Sequence, residues 1–347
     1  MKALVKYRPG PGNVELREVE EPVCASGQVK IEVAFCGICG TDLHVLHDTF
    51  RSFPPVILGH EFAGTIVEAG SAVRRFRPGD RVTVLGAMTV TCGQCVYCRK
   101  GEFMFCPERR GMGHGVNGAF ARWVVAREDQ LFRLPDNLPI EQGALVEPFA
   151  AAVHAVCEVA VPRLGDVVLV SGPGPIGLMC VKLLVAQGIK TIVAGAGDDQ
   201  RRLEIAARLG AARTVNATAE NLSDVVQEET DGFGVDLAIE CAGAAASAAN
   251  CLRAVRPLGR YAQVGHFGKD VTLPFDLVAF RQIHLEGSVG YTADSWHRAL
   301  AILAQGQLRL DDMITHRLPL TQWQQGFDYC ESREGLKVLL HPDGEAG

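Results

Sequence analysis

Residues 167–188 read VVLVSGPGPIGLMCVKLLVAQG, and the change of texture along them decides the fold of the chain's centre. VVLVS is an apolar, β-branched run of strand length, suited to a strand covered on both faces. The run that begins at Gly177 has helix length. Between them Gly172, Gly174 and Gly177 stand in G-x-G-x-x-G register, with Pro175 and Ile176 opening the helix. Glycines at a strand-to-helix turn let the backbone approach a pyrophosphate, which then rests on the helix N-terminus.

The alternation continues through TIVAGAG, RRLEIAARLGA, VDLAIECAG, AAASAANCLRAV and GRYAQVGHF. Strands interleaved with helices call for a parallel sheet with crossovers on both faces. A Rossmann dinucleotide-binding domain is therefore expected over 151–289, with Val264, Gly265, Ser288 and Val289 adding cofactor contacts beyond the glycine turn. An acid near the end of the second strand would bind a ribose 2′-hydroxyl, and its loss beside arginines would admit a 2′-phosphate. Here Asp198 favours NAD, while Gly197 with Arg201 and Arg202 favours NADP, so both cofactors stay open.

The flanks read differently. VELREVE, VKIEVAF, EFAGTIVEAG and DRVTVLGA alternate apolar with polar residues between the turn signals PGPGN, ASGQ and RPGD, the pattern of antiparallel strands. After 290 come two helical patterns, SWHRALAILAQG and TQWQQGFDYCES, and a closing strand, LKVLLHP. The expected fold class is α/β, with a discontinuous β-rich domain formed by 1–150 and 290–347 and a cofactor cleft between the two domains.

Composition narrows the function classes. A chain of 347 residues, 48% hydrophobic, is long enough for two cores. Its net charge of −6 comes with no Lys/Arg block, so a nucleic-acid surface is not expected. No signal peptide and no apolar run of membrane-span length is visible, so a cytoplasmic protein with no membrane partner is expected. Its 12 cysteines are then read as metal thiolates or small buried hydrophobes rather than disulfides.

Four of them, Cys92, Cys95, Cys98 and Cys106 in TCGQCVYCRKGEFMFC, have the spacing of a closed tetrahedral zinc site. Two further stretches supply mixed donors. CGICGTDLH (36–44) carries Cys39, with Thr41 as a candidate cap for a short helix bearing Asp42 and His44; VILGHEFAG (56–64) carries His60 and Glu61. One thiolate, one imidazole and one carboxylate are what an open catalytic zinc takes, although a loop histidine beside a solvated glutamate would read the same. Glu147 interrupts the apolar run LVEPFAAAV, where an uncompensated charge is costly.

CGICGTDLH, GHE, the four-cysteine segment, LVEPFA and GPGPIG follow one another in this order over nearly the whole chain. The combination resembles the zinc-dependent medium-chain dehydrogenases, particularly their sorbitol (polyol) and threonine dehydrogenase branches. That resemblance implies a GroES-like catalytic domain beside the Rossmann domain. It implies a catalytic Zn2+ on Cys39, His60 and Glu61, with Glu147 as an exchangeable or water-mediated fourth ligand, and a structural Zn2+ on the four cysteines. Thr41 and His44 match a hydroxyl-imidazole proton relay, and Gly197 stands where the family's ribose acid is usual. The implied activity is oxidation of a secondary alcohol, such as a polyol, diol or threonine-like amino alcohol, to the ketone with NAD or NADP, in a homo-oligomer (dimer or tetramer). A zinc-free quinone reductase and a non-catalytic dinucleotide sensor are the competing readings. Phe50, Phe53, His114 and Phe267 stand between packing and substrate recognition.

Overall fold

The computed structural model describes residues 1–342. Its chain divides into two compact units, Met1–Pro148 together with the stretch from Thr292 onward, and Phe149–Tyr291. The division falls inside the helix Val146–Val153.

The first unit is built on strands β1 (Lys2–Lys6), β2 (Val14–Glu18), β3 (Gln28–Gly37), β4 (Val56–Ile57), β5 (Glu61–Ala69), β6 (Arg81–Val84), β7 (Trp123–Arg127) and β8 (Leu131–Arg133). The second holds β9 (Val167–Ser171), β10 (Lys190–Gly195), β11 (Arg213–Asn216), β12 (Val235–Glu240), β13 (Val255–Gln263) and β14 (His284–Gly287), after which β15 (Ile314–Pro319) and β16 (Lys337–His341) return to the first.

Among the described residues, β15-β16-β3-β5-β6-β8 form one sheet of the first unit, with β7 also pairing β3. Its alternating strands turn Val29, Ile31, Val33, Phe62, Ile66, Val82 and Val84 into a common core with Phe120, Phe327 and Val338. Alternation in the sequence thus becomes one apolar face. A smaller sheet, β2-β1-β4, carries its own cluster of Ala3, Val5, Ile57 and Ala121.

The second unit is a parallel sheet in the order β11-β10-β9-β12-β13-β14. Successive strands are added outward from β9 on one side and then from β12 on the other. The order reverses between β9 and β12, and ligands of such sheets bind outside the strands' carboxyl ends at that point. β9 is followed by the helix Pro175–Ala186, β10 by Gln200–Arg208 and β12 by Ala245–Ala254. Leu169, Ile192, Val215, Ala238 and Leu252 are buried in its core.

Candidate metal centres and dinucleotide site

Strands β16, β3 and β5 lie side by side, with Gly37 of β3 opposite Leu339 on one flank and Glu61 on the other. This register collects distant stretches at one end of the sheet: Cys39 just past β3, His60 and Glu61 at the head of β5, and Lys337 at the head of β16. The Cys39 sulfur, one His60 ring nitrogen and one Glu61 carboxylate oxygen lie within 4.8 Å of one another.

Two residues that the sequence did not single out hold this trio. Asp42 is buried; its Oδ2 accepts from the Cys39 amide at 2.9 Å and its Oδ1 from the Gly59 amide at 3.4 Å. Oδ1 also lies 3.7 Å from His60 Nδ1, a buried nitrogen with no hydrogen bond among the described residues. A carboxylate behind a histidine orients the ring so that its other nitrogen faces a metal. The helix that bears Asp42 starts at Gly40 with Cys39 as its N-cap. Thr41 is therefore not the cap, because the acid at the third helical position bonds the Cys39 amide instead.

Lys337 is the other. Its buried Nζ donates to Glu61 Oε2 and to the Ile38 carbonyl at 3.1 Å. A side chain on Gly37 would come within 2.5 Å of Glu61 Oε2, so glycine at that position leaves room for the carboxylate. Burial opposes the ammonium, but Glu61 and Cys39 outweigh it and hold Lys337 above the ordinary lysine value. Burial likewise opposes a charged His60, while Asp42, Cys39 and Glu147 raise its pKa well above 6.5. Burial raises Cys39 and Asp42. An enclosed set of anionic donors around one imidazole is the composition that a zinc dication neutralises, so the residues fit the metal.

Glu147 sits in the first turn of the helix Val146–Val153 and acts on His60 through its charge, but it is not one of the three donors that converge. Thr41 and His44 share the helix Gly40–Leu46, half-buried and exposed respectively. His44 Nδ1 pairs with Thr49 Oγ1 at 3.0 Å rather than with Thr41. The His114 ring lies 6.5 Å from that of His60 and 5.1 Å from that of Phe50. Phe53 lies under the guanidinium groups of Arg51 and Arg110. Burial is the main cause of a His114 pKa lowered to about 3, which keeps this ring neutral beside the donors.

The four cysteines of the loop also converge, all their sulfurs within 4.8 Å. Cys92 and Cys98 Sγ are 3.9 Å apart, and the Cys92, Cys95 and Cys98 amides point at the sulfurs of Cys106, Cys92 and Cys95 at 3.3–3.4 Å. Amides of Gln94 and Cys95 lower the Cys92 thiol to about 7. Burial, with the neighbouring thiols of Cys95 and Cys106, pushes Cys98 up to about 12, and four converging sulfurs of this kind fit a closed zinc site, whose dication draws off their protons.

In the second unit the glycine turn leads from β9 into the helix Pro175–Ala186, with Gly174 as its N-cap. A Cβ on Gly177 would meet the Gly172 carbonyl at 2.0 Å, and one on Gly172, whose φ is +99°, would meet the Ala242 amide at 2.5 Å. A Cβ on Gly174 would meet nothing within 4 Å among the described residues outside its own turn. The loop is thus packed tightly beneath and open above, which fits a pyrophosphate on a helix N-terminus.

β10 stops at Gly195, short of Gly197, and Gly197 and Asp198 are both exposed in the turn that follows. The carboxylate folded against the strand end is that of Asp199: its Oδ2 would be 3.3 Å from a Cβ on Gly195 and accepts from the Ala196 amide at 3.0 Å. Arg202 lies 3.9 Å from Asp199. Sequence spacing placed both Gly197 and Asp198 near the strand end, which cannot be fixed to the residue from pattern alone. Val264 and Gly265 leave β13 as a turn whose amides bond the Glu240 carbonyl, and the Ser288 amide bonds the Gln263 carbonyl. Val289 is exposed, and Phe267 is half-buried.

Residues 25–136 match the alcohol dehydrogenase GroES-like domain and 175–305 the zinc-binding dehydrogenase domain. Sorbitol dehydrogenase of Halalkalibacterium halodurans is 36% identical over 99% of both chains. D-arabitol-phosphate dehydrogenase of Enterococcus avium is 37% identical over 99% of this chain and 98% of its own. A zinc-binding dehydrogenase from Sinorhizobium meliloti, crystallised with NADP, superposes with a TM-score of 0.89 at 33% identity, covering 98% of this chain and 99% of its own. With likeness of this degree running from end to end and through both domain types, the chain belongs to the zinc-dependent medium-chain dehydrogenases, the NAD(P)-linked alcohol dehydrogenases of this fold.

Proposed function

We propose that this enzyme oxidises a secondary alcohol carrying neighbouring hydroxyl or amino groups, such as a polyol, a diol or a threonine-like amino alcohol, to the ketone. The observation that supports it most is the Cys39, His60 and Glu61 donor set, converging within 4.8 Å in a chain whose relatives include dehydrogenases of sorbitol and arabitol phosphate. Cys39, His60 and Glu61 would hold zinc, which would supply Lewis-acid polarisation of an alcohol oxygen, and the glycine loop would hold NAD or NADP, which would supply the hydride acceptor.

The chain's own groups do the rest. Asp42 faces the His60 ring from 3.7 Å with its opposite charge, and Lys337 holds one oxygen of Glu61. Glu147 stands by as a further carboxylate. Thr41 and His44 carry the substrate proton toward solvent, with Thr49 orienting His44 through its hydroxyl. The neutral His114 ring, with Phe50 against it, gives the site an uncharged wall. The four-cysteine loop would hold a second zinc for structure alone.

We also place the enzyme in the cytoplasm and assign it a homo-oligomeric state. Among the described residues no helix is long and apolar enough to cross a membrane, and β14 ends its sheet with Leu285 exposed. A screen of polyols, 2,3-diols, threonine and sugar phosphates against both cofactors tests the substrate assignment. Zinc-dependent turnover of a vicinal diol or amino alcohol is expected, and turnover confined to enones or quinones would overturn it.

A further inference from the structure

Glu240 ends β12, wholly buried, in the middle of an apolar sheet. A carboxylate there is costly unless every lone pair is used, and here neutral donors use them. Oε1 accepts from the Ala242 amide at 3.0 Å, the Gly243 amide at 3.1 Å and the Ser247 hydroxyl at 2.6 Å; Oε2 accepts from the Gly243 amide at 3.1 Å and the Gln263 side-chain amide at 2.7 Å. A carboxylate can accept at all of these points, whereas an amide in its place would turn its NH2 toward at least two of these donors.

The network reaches three loops. Ser247 Oγ lies 2.7 Å from Ser171 Oγ, the residue before the glycine turn. Gln263 also donates to the Gly265 carbonyl at 2.7 Å and accepts from Tyr261. A Cβ on Gly265 would come within 2.7 Å of Glu240 Oε2 and 2.2 Å of the Gly243 amide, so these loops interlock around the carboxylate. They leave β9, β12 and β13, which includes the pair of strands at which the sheet order reverses.

We propose that Glu240 is the positioning residue of the dinucleotide site: its carboxylate fixes the Ala242–Gly243 and Val264–Gly265 turns beside the glycine loop and so sets the affinity for the dinucleotide. Glu240 does not touch the cofactor in this reading; it acts through the turns. The inference rests on the assignment of the glycine loop to a dinucleotide. Glu240→Gln turns an amide toward Gln263, whose realignment then strips the Gly265 carbonyl of its donor. Gln263→Ala cuts the same link without altering Glu240.

The test is a titration of full-length, zinc-loaded wild type, both variants and the double variant with NADH and NADPH, followed by nicotinamide fluorescence, with zinc content and thermal midpoint measured in parallel. Each single variant should raise the dissociation constant about tenfold or more, and the double variant should be no weaker than the weaker single one, because both cut one link. The KM for the dinucleotide should rise by more than kcat falls, with zinc content unchanged. An affinity within about twofold of wild type in either folded variant, or independent effects that multiply in the double variant, would overturn the proposal. If Glu240→Gln does not fold, Gln263→Ala decides alone. Wild type that binds neither dinucleotide would instead overturn the glycine-loop assignment, and the proposal with it.

Discussion

Lys337→Met should destabilise the metal-free protein far more than the zinc-loaded one. Both partners of the Lys337–Glu61 pair are 2% exposed, so removal of the ammonium leaves a carboxylate buried without its counter-charge. Breaking a buried pair in this way costs about 3–5 kcal/mol. When zinc is bound, the dication compensates Glu61, and the remaining loss is the Ile38 carbonyl's donor, about 1 kcal/mol. The expected gap between the two states is therefore about 2–4 kcal/mol. Because Lys337 is raised above 10.5 in the folded chain, its stabilisation is fully present below that pH and is lost as pH climbs through the folded value, so a measurement at about pH 7 reads all of it. Urea unfolding followed by tryptophan emission suits the question, since Trp123, Trp296 and Trp323 all lie in the first unit. A loss below about 1 kcal/mol in the chelator-treated protein, or an equal loss in both states, would refute the reasoning.

Other outcomes follow from the same geometry. Cys106→Ser should remove one metal per chain and lower the thermal midpoint while dinucleotide still binds, as metal content and differential scanning fluorimetry will report. Gly177→Val should abolish NADH and NADPH binding, seen as loss of fluorescence enhancement, because even a Cβ there meets the Gly172 carbonyl at 2.0 Å. His114, held neutral down to about pH 3 by its burial, binds its proton more readily in the unfolded chain. Stability of the metal-free protein should therefore rise with pH between about 3 and 6.5, by at most about 1.4 kcal/mol per pH unit from this residue. Urea midpoints for His114→Gln should vary less over that interval than those of wild type.

Local features of the sequence were the easiest to read. GPGPIG, with an apolar strand before it and an apolar helix after it, is a signal contained in one stretch, and the parallel sheet follows from its repetition. The four cysteines likewise lie within one loop. Cys39, His60 and Glu61 were legible as donor types, but their convergence depends on the β3–β5 register, which spacing does not give. Lys337 was invisible because it lies 276 residues from Glu61 and reads as the start of an ordinary closing strand. Asp42 resembled any first-turn acid, and its bond to the Cys39 amide moved the helix start away from Thr41. Gly197 and Asp198 lie in the turn after β10 and Asp199 folds back on the strand end, a placement finer than a pattern reading gives. Glu240, inside VDLAIECAG, showed only as an acid at the end of a strand. Its donors are the amides of a backbone turn and the side chains of Ser247 and Gln263, which only the fold brings to it.

Zinc stoichiometry measured together with alcohol-dependent reduction of NAD or NADP, in wild type and Cys39→Ser, bears most directly on the chemistry. The two donor sets call for two zinc ions per chain in wild type and one in Cys39→Ser, with turnover of a vicinal diol or amino alcohol abolished in the variant while NADH or NADPH still binds. Equal zinc content in both proteins, or turnover retained by Cys39→Ser, would contradict the assignment of Cys39, His60 and Glu61 as the centre of the reaction.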